Sequence, residues 1–310
     1  MSDSSSGKAQ SAFQSLSSII TSIPPSQSPA FSLLHDLRIA SQISTLLRQP
    51  DSGAGDNNLC RWLYDSFQST DPDLQLVVLR FLPIIAGVYL SRVTLRKPLA
   101  GFEAVLLALY AHETTSRAGQ SITINIPDLS HPSVYHESKT LTKTNATDLN
   151  LVVISPSLEP HGTVRSTRRA RIVGVALELY YSKISQMPIG SKVDFCEFCE
   201  GWAGLDKDSE GCKGLTKEKL NNEGAIYLPW ELLQPVLRIL GHCLLGPTKN
   251  KELYKAASAA CKSLHARALH DINPNAILAT GSLVRLGKLA LDSDKETDYT
   301  EIPKTNVISL

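Results

Sequence analysis

The chain has 310 residues, 42% hydrophobic and 20% charged, an ordinary globular composition that excludes a disordered polymer and a coiled coil. Its 31 Lys+Arg oppose 30 Asp+Glu, a formal net charge of +1. No global basic field therefore attracts nucleic acid, and any nucleic-acid or membrane contact has to come from a local patch.

Arg80 and Pro83 interrupt the apolar stretch Leu74–Leu90, and Glu103 interrupts Leu99–Ala111. Neither gives the roughly 18 uninterrupted apolar residues that a membrane span takes. No secretory, myristoylation or prenylation pattern is read at the ends, and the six cysteines read as reduced thiols of a cytoplasmic chain.

In chain order, the first 28 residues are Ser-rich. Phe13, Leu16, Ile19, Ile20 and Ile23 fall near helical spacing, which predicts a short, marginal amphipathic helix in a flexible lead. Ser28-Pro29 is a helix start. Phe31, Leu34, Leu37, Ile43, Leu46 and Leu47 read as one stripe, stopped near Pro50. Leu59, Trp62, Leu63 and Phe67 face one way on the next helix. Asp71-Pro72-Asp73 combines a cap, a fixed φ and a carboxylate on the positive helix end. The helix that follows is apolar almost all round, so it is central or covered. Pro83 within it predicts a kink or break, at roughly 3 kcal/mol in an undistorted helix. Pro98 opens a helix burying Leu99, Phe102, Val105, Leu106, Leu109 and Tyr110.

At Ser121 the period changes. Ile122, Ile124 and Ile126 alternate with polar residues, and Leu151 to Ile154 is a second β-branched run. A hairpin is predicted, lying on the helices because an isolated pair of strands is only marginally stable. Helices resume with Ile172, Val175, Ala176, Leu179 and Tyr180, then Val193 to Ala203, then a helix after Pro229 with internal Pro235. Thr248 caps another helix. Asn273-Pro274 starts the last one, with Ile277, Leu278, Val284 and Leu289 as apolar positions. Gly174, Gly281 and Gly287 lie singly within helices, where close packing is the expected reason. No repeat of about 20 to 50 residues is present. The predicted class is all-α: an irregular bundle of about ten helices with a minor β-hairpin. Its helical domain spans residues 29–291, between the lead at 1–28 and a disordered tail at 292–310.

Motifs for chemistry are few. Cys196-Glu-Phe-Cys199, with Cys212 downstream, has no fourth partner fixed by spacing, whereas structural zinc takes four ligands. On a helix the pair shares a face with Val193 and Ala203, so the reading is two buried thiols. A zinc-stabilised helical adaptor is the alternative. No phosphate-binding glycine loop or nucleophile elbow occurs. His131 and His136 sit in a polar loop with no positioned third group. No catalytic residue, cofactor or metal site is expected. Arg165, Arg168, Arg169 and Arg171 form the one concentrated basic run, at the start of a helix where cations oppose the macrodipole at about 0.3–1 kcal/mol each. Two readings stay open: an anion or partner patch, and a solvated helix end.

The segment Ile126 to Ser138, and above all Pro132-Ser133-Val134-Tyr135-His136-Glu137, resembles the most recognisable motif of the hyccin family. Leu79 to Pro83 resembles the family's proline-containing helix, Phe102 to Tyr110 the helix before the strand, and Asn275 to Ala279 the closing helix. The similarity runs over roughly residues 31 to 290, in plant-type form, and rests on the order and spacing of these elements. It implies a non-catalytic scaffold subunit of the type III alpha phosphatidylinositol 4-kinase complex. The implied partners are a tetratricopeptide-repeat scaffold protein, the kinase, and a palmitoylated membrane-anchor protein. The implied location is cytoplasmic and peripheral at the plasma membrane, with no nucleic acid involved.

Overall fold

A computed structural model describes residues 2–20, 28–93, 95, 97–127, 149–160, 168–204, 229–247 and 250–292. Eleven α-helices and one two-stranded sheet lie among them, so the class is all-α with a minor hairpin.

The amino-terminal helix α1 spans Ser2–Ser17. Ala9, Phe13 and Leu16, with Ile20 just beyond, are buried. Trp62 Nε1 donates to the Ala12 carbonyl at 2.8 Å. The predicted amphipathic helix is present, but it is longer and lies earlier than the spacing from Phe13 to Ile23 suggested, ending at Ser17; burial of its apolar side outweighs the weak helix preference of the serines.

The stripe from Phe31 to Leu47 is not one helix. It divides into α2 (Pro29–His35) and α3 (Leu37–Arg48). Asp36 stands between them in extended conformation, its Oδ1 accepting from Arg38 N at 2.7 Å and Ile39 N at 3.4 Å. A carboxylate on free amides at a helix start makes a new N-terminus. The division turns Phe31 and Leu37 outward, at 65% and 75% exposure, whereas Leu34, Ile43 and Leu47 are buried as expected. Arg92 closes the other end of α3, donating to the carbonyls of Arg48, Gln49 and Ser52, where a cation suits the helix dipole.

Helix α4 (Asn58–Gln68) precedes the central helix α5 (Pro72–Val93). Asp71 Oδ1 accepts from Asp73 N and Leu74 N, the predicted cap. The expected break at Pro83 does not occur. The helix continues through it, because α2, α3, α4, α7 and α8 cover it and tertiary burial outweighs the local loss of a hydrogen bond. By length and composition α5 is the described helix able to cross a membrane, but 72% of its apolar window is buried inside the protein.

Helix α6 (Ala100–Ser116) starts two residues after Pro98 and lacks a side-chain cap. The Gly53 carbonyl serves instead, accepting from Gly101 N at 2.9 Å. Gly53 has φ +91 and a side chain there would strike the Phe102 ring, so glycine is required on both counts.

Strands β1 (Ile122–Pro127) and β2 (Leu149–Ser155) pair antiparallel, with Ile124 opposite Val152 and a bulge beside Thr123. The expectation that this hairpin lies on the helices holds only at its base. There Ser155 is buried and accepts from Arg117 Nη1 at 2.9 Å, and the Leu158 amide donates to the Gly119 carbonyl. Further out, Ile124, Leu151, Val152 and Val153 are exposed.

The second half comprises α7 (Arg169–Ser182), α8 (Ile189–Ala203), α9 (Trp230–Leu245), α10 (Lys251–His270) and α11 (Pro274–Asp292). Helix α7 packs on α6 and α9, α8 on α5 and α10, and α11 on α9 and α10. The side chain of Asn250 caps α10, accepting from Leu253 N at 2.9 Å. The expected cap Thr248 lies outside the described residues.

Candidate partner-binding surfaces

The motif residues Pro132, Ser133, Val134, Tyr135, His136 and Glu137 lie outside the described residues, as do His131, Arg165 and Cys212. The rest of the basic run is placed. Arg168 pairs with Glu159. Arg169 approaches Glu103 at 4.0 Å, and Glu103 also accepts from the Tyr89 hydroxyl at 3.0 Å. Burial, then the Glu103 charge, pushes the Tyr89 phenol up to about 12. Arg171 donates to the carbonyls of Pro156 and Ser157 at 3.1 and 2.8 Å.

Arg168 and Arg171 thus fasten the exit of β2 to the start of α7. Carboxylates of this chain offset the helix dipole at Arg168 and Arg169, while the Arg169 Nε is buried without a hydrogen-bond partner. Beside them is a recess of about 220 Å³ lined by Tyr110, Ser157, Glu159, Arg168, Arg171 and Glu231. Two carboxylates share it with the two arginines.

Deeper in lies a charge network that the sequence does not announce. Arg117 Nε meets Glu113 at 2.6 Å and its Nη2 meets Glu178 at 2.8 Å, with all three side chains at least 88% buried. Arg238 adds a contact to Glu178 at 3.5 Å. Only the Glu113–Arg117 pair has local helical spacing; Glu178 arrives from α7. The network joins α6, the base of the hairpin, α7 and α9, and so fixes how the hairpin leaves the helical body.

Cys196 and Cys199 are fully buried, as their spacing predicted. Cys243 of α9 and Cys261 of α10 are buried as well. Cys196 donates its thiol to Cys243, which raises the Cys196 thiol and lowers that of Cys243, and burial raises the Cys199 thiol. Among the described residues no three His, Cys, Asp or Glu side chains lie close enough to hold a metal ion. The zinc-adaptor alternative thus finds no ligand cluster among the described residues, and its third cysteine, Cys212, lies outside them.

Part of the apolar surface has no cover. Leu278 and Leu289 of the last helix, read from sequence as apolar positions, are 72% and 62% exposed. Leu269 and Ile272 at the turn before it are exposed too. Periodicity alone did not separate these from the buried Ala276 and Leu283, because α11 carries apolar residues on both sides. The missed signal was their company: Leu278, Ser282, Arg285 and Leu289 recur at steps of four, three and four, a solvent-facing stripe.

Fold and surface define the class: an all-α, multi-helix protein with one small hairpin and exposed apolar side chains. The Hyccin family model matches residues 25–306, and the chain belongs to the hyccin family. The match covers α2 to α11, the motif segment and most of the carboxy-terminal segment, and begins after α1.

Proposed function

We propose that this chain is a non-catalytic scaffold subunit of a type III alpha phosphatidylinositol 4-kinase complex. In this reading it is held by a tetratricopeptide-repeat scaffold protein and stabilises the kinase. A palmitoylated anchor protein brings the assembly to the cytoplasmic side of the plasma membrane, where it supports phosphatidylinositol 4-phosphate synthesis. The single observation that carries the reading is hyccin-family membership over residues 25–306.

Large exposed apolar side chains give a partner something to cover. Phe31 and Leu37 around the α2–α3 junction and Leu151 and Val153 on the hairpin are such residues. The test is co-expression of the full chain with the repeat scaffold and the kinase, followed by affinity purification. Co-purification of all three, with a longer kinase half-life than without this chain, is expected. A chain that captures neither protein, or a kinase indifferent to it, overturns the reading.

A further inference from the structure

We infer that the outer face of the α10–α11 helical hairpin is a direct docking surface for an anionic lipid bilayer. The two helices run antiparallel: His265 Nδ1 meets Thr280 Oγ1 at 3.0 Å, and Gly287 lies beside Ser258. Their inner sides face α8 and α9. Lys255, Lys262 and Leu269 form an exposed stripe of α10, and Leu278, Arg285 and Leu289 one of α11, where Lys288 is exposed as well. One continuous face therefore mixes cations with large apolar side chains.

Charge identifies the occupant. Lys255, Lys262, Arg285 and Lys288 make no ion pair among the described residues. The acids of the two helices stand at their ends, Glu252 in the first turn of α10 and Asp292 at the close of α11. Asp271 in the turn is engaged by Arg267 and His270. A face of unpaired cations interleaved with exposed leucines suits a surface that is negative at the headgroups and apolar just below them.

The turn adds a second, independent observation. Ile272 has φ +50, a strained conformation for a β-branched residue, and its side chain is 80% exposed. Nothing inside the protein is gained by an isoleucine there. With Leu269 before it and Leu278 after it also exposed, it adds an apolar tip at this end of the helical hairpin, which a bilayer would bury.

The inference rests on this face and not on the kinase reading, and its test contains no kinase subunit. The full chain is mixed with vesicles of phosphatidylcholine alone, or of phosphatidylcholine with phosphatidylserine, and partition is measured by co-sedimentation. Binding to the anionic vesicles, weakening with added salt and absent on the neutral ones, is expected. Lys262→Gln with Arg285→Gln should weaken partition about 25-fold, at about fivefold per basic residue near an anionic surface, with an unchanged melting temperature. Ile272→Gly should raise the melting temperature and still weaken partition. Equal binding to both vesicle types, no binding, or a double variant that binds like the parent overturns the inference. So does capture of an acidic protein at this face without vesicle partition.

Discussion

Gly174 of α7 lies so close to the start of α9 that a Cβ at this position would sit 2.5 Å from the carbonyl oxygen of Glu231. The obstructing atom belongs to the backbone and cannot swing aside. Gly174→Ala therefore separates the two helices, and a cost of about 1–3 kcal/mol is expected for overpacking. Gly241 in α9 offers the opposite case. Its nearest neighbour would be a Leu283 methyl at 3.8 Å, an ordinary contact, so Gly241→Ala should stabilise by about 0.5–1 kcal/mol through helix preference. Thermal denaturation of the two variants should give shifts of opposite sign. Shifts of the same sign would contradict the α7–α9 spacing.

Arg117 joins two buried carboxylates from different helices. Its replacement leaves Glu113 and Glu178 facing each other in a poorly hydrated site. Arg117→Met should cost about 3–5 kcal/mol, the range for breaking a buried pair, tempered by Arg238 at 3.5 Å from Glu178. Adding Glu113→Gln and Glu178→Gln should recover part of the loss, because it removes the uncompensated charge and not merely the contact. Urea denaturation of the single and triple variants measures both numbers. A triple variant less stable than the single would sink the argument.

These two sites mark what the sequence makes legible. Gly174 was readable as a packing glycine because a lone glycine inside a helix needs a reason. The Asp71 cap and the hairpin strands were readable for the same kind of cause: their signals lie within a few neighbouring residues. The Arg117 network was not, since Glu178 is brought to it by the fold. The basic run shows the same limit. Arg168 and Arg169 read as uncompensated until Glu159 and Glu103 arrive from the hairpin exit and from α6. Pro83 went against local preference because tertiary burial outweighed it. At Asp36 a single side chain divided a hydrophobic stripe that periodicity had joined.

Thr70, between α4 and α5, has φ +59 and is exposed. For a β-branched residue the left-handed region is strained by roughly 1–3 kcal/mol. The Thr70 hydroxyl makes only a short contact to the Ser69 carbonyl on the surface, so little is lost with it. Thr70→Gly should raise stability by about 1 kcal/mol, less than the full strain because glycine also loosens the unfolded chain. Differential scanning calorimetry measures this directly. A lower melting temperature would show that the turn is held by the threonine side chain rather than in spite of it.

The turn between α10 and α11 gives the pH dependence. Burial of the Asp271 carboxyl opposes its ionisation, but hydrogen bonds from Arg267 and His270, aided by their charges, outweigh burial and hold it below its ordinary value. Arg267 Nε lies 2.7 Å from Oδ2, and His270 Nδ1 lies 3.1 Å from Oδ1. A carboxyl that ionises more readily folded than unfolded contributes stability above its unfolded pKa of about 3.9, and that contribution disappears as pH falls through the lower folded value. Asp271→Asn should therefore lower the melting temperature at neutral pH, by the equivalent of about 1 kcal/mol for a partly exposed carboxylate held by the buried Arg267. The difference from the parent should close only below about pH 4, leaving the variant with the flatter acid limb. A difference that closes between pH 5 and pH 8 instead, or a steeper acid limb in the variant, would assign the acid sensitivity to other groups.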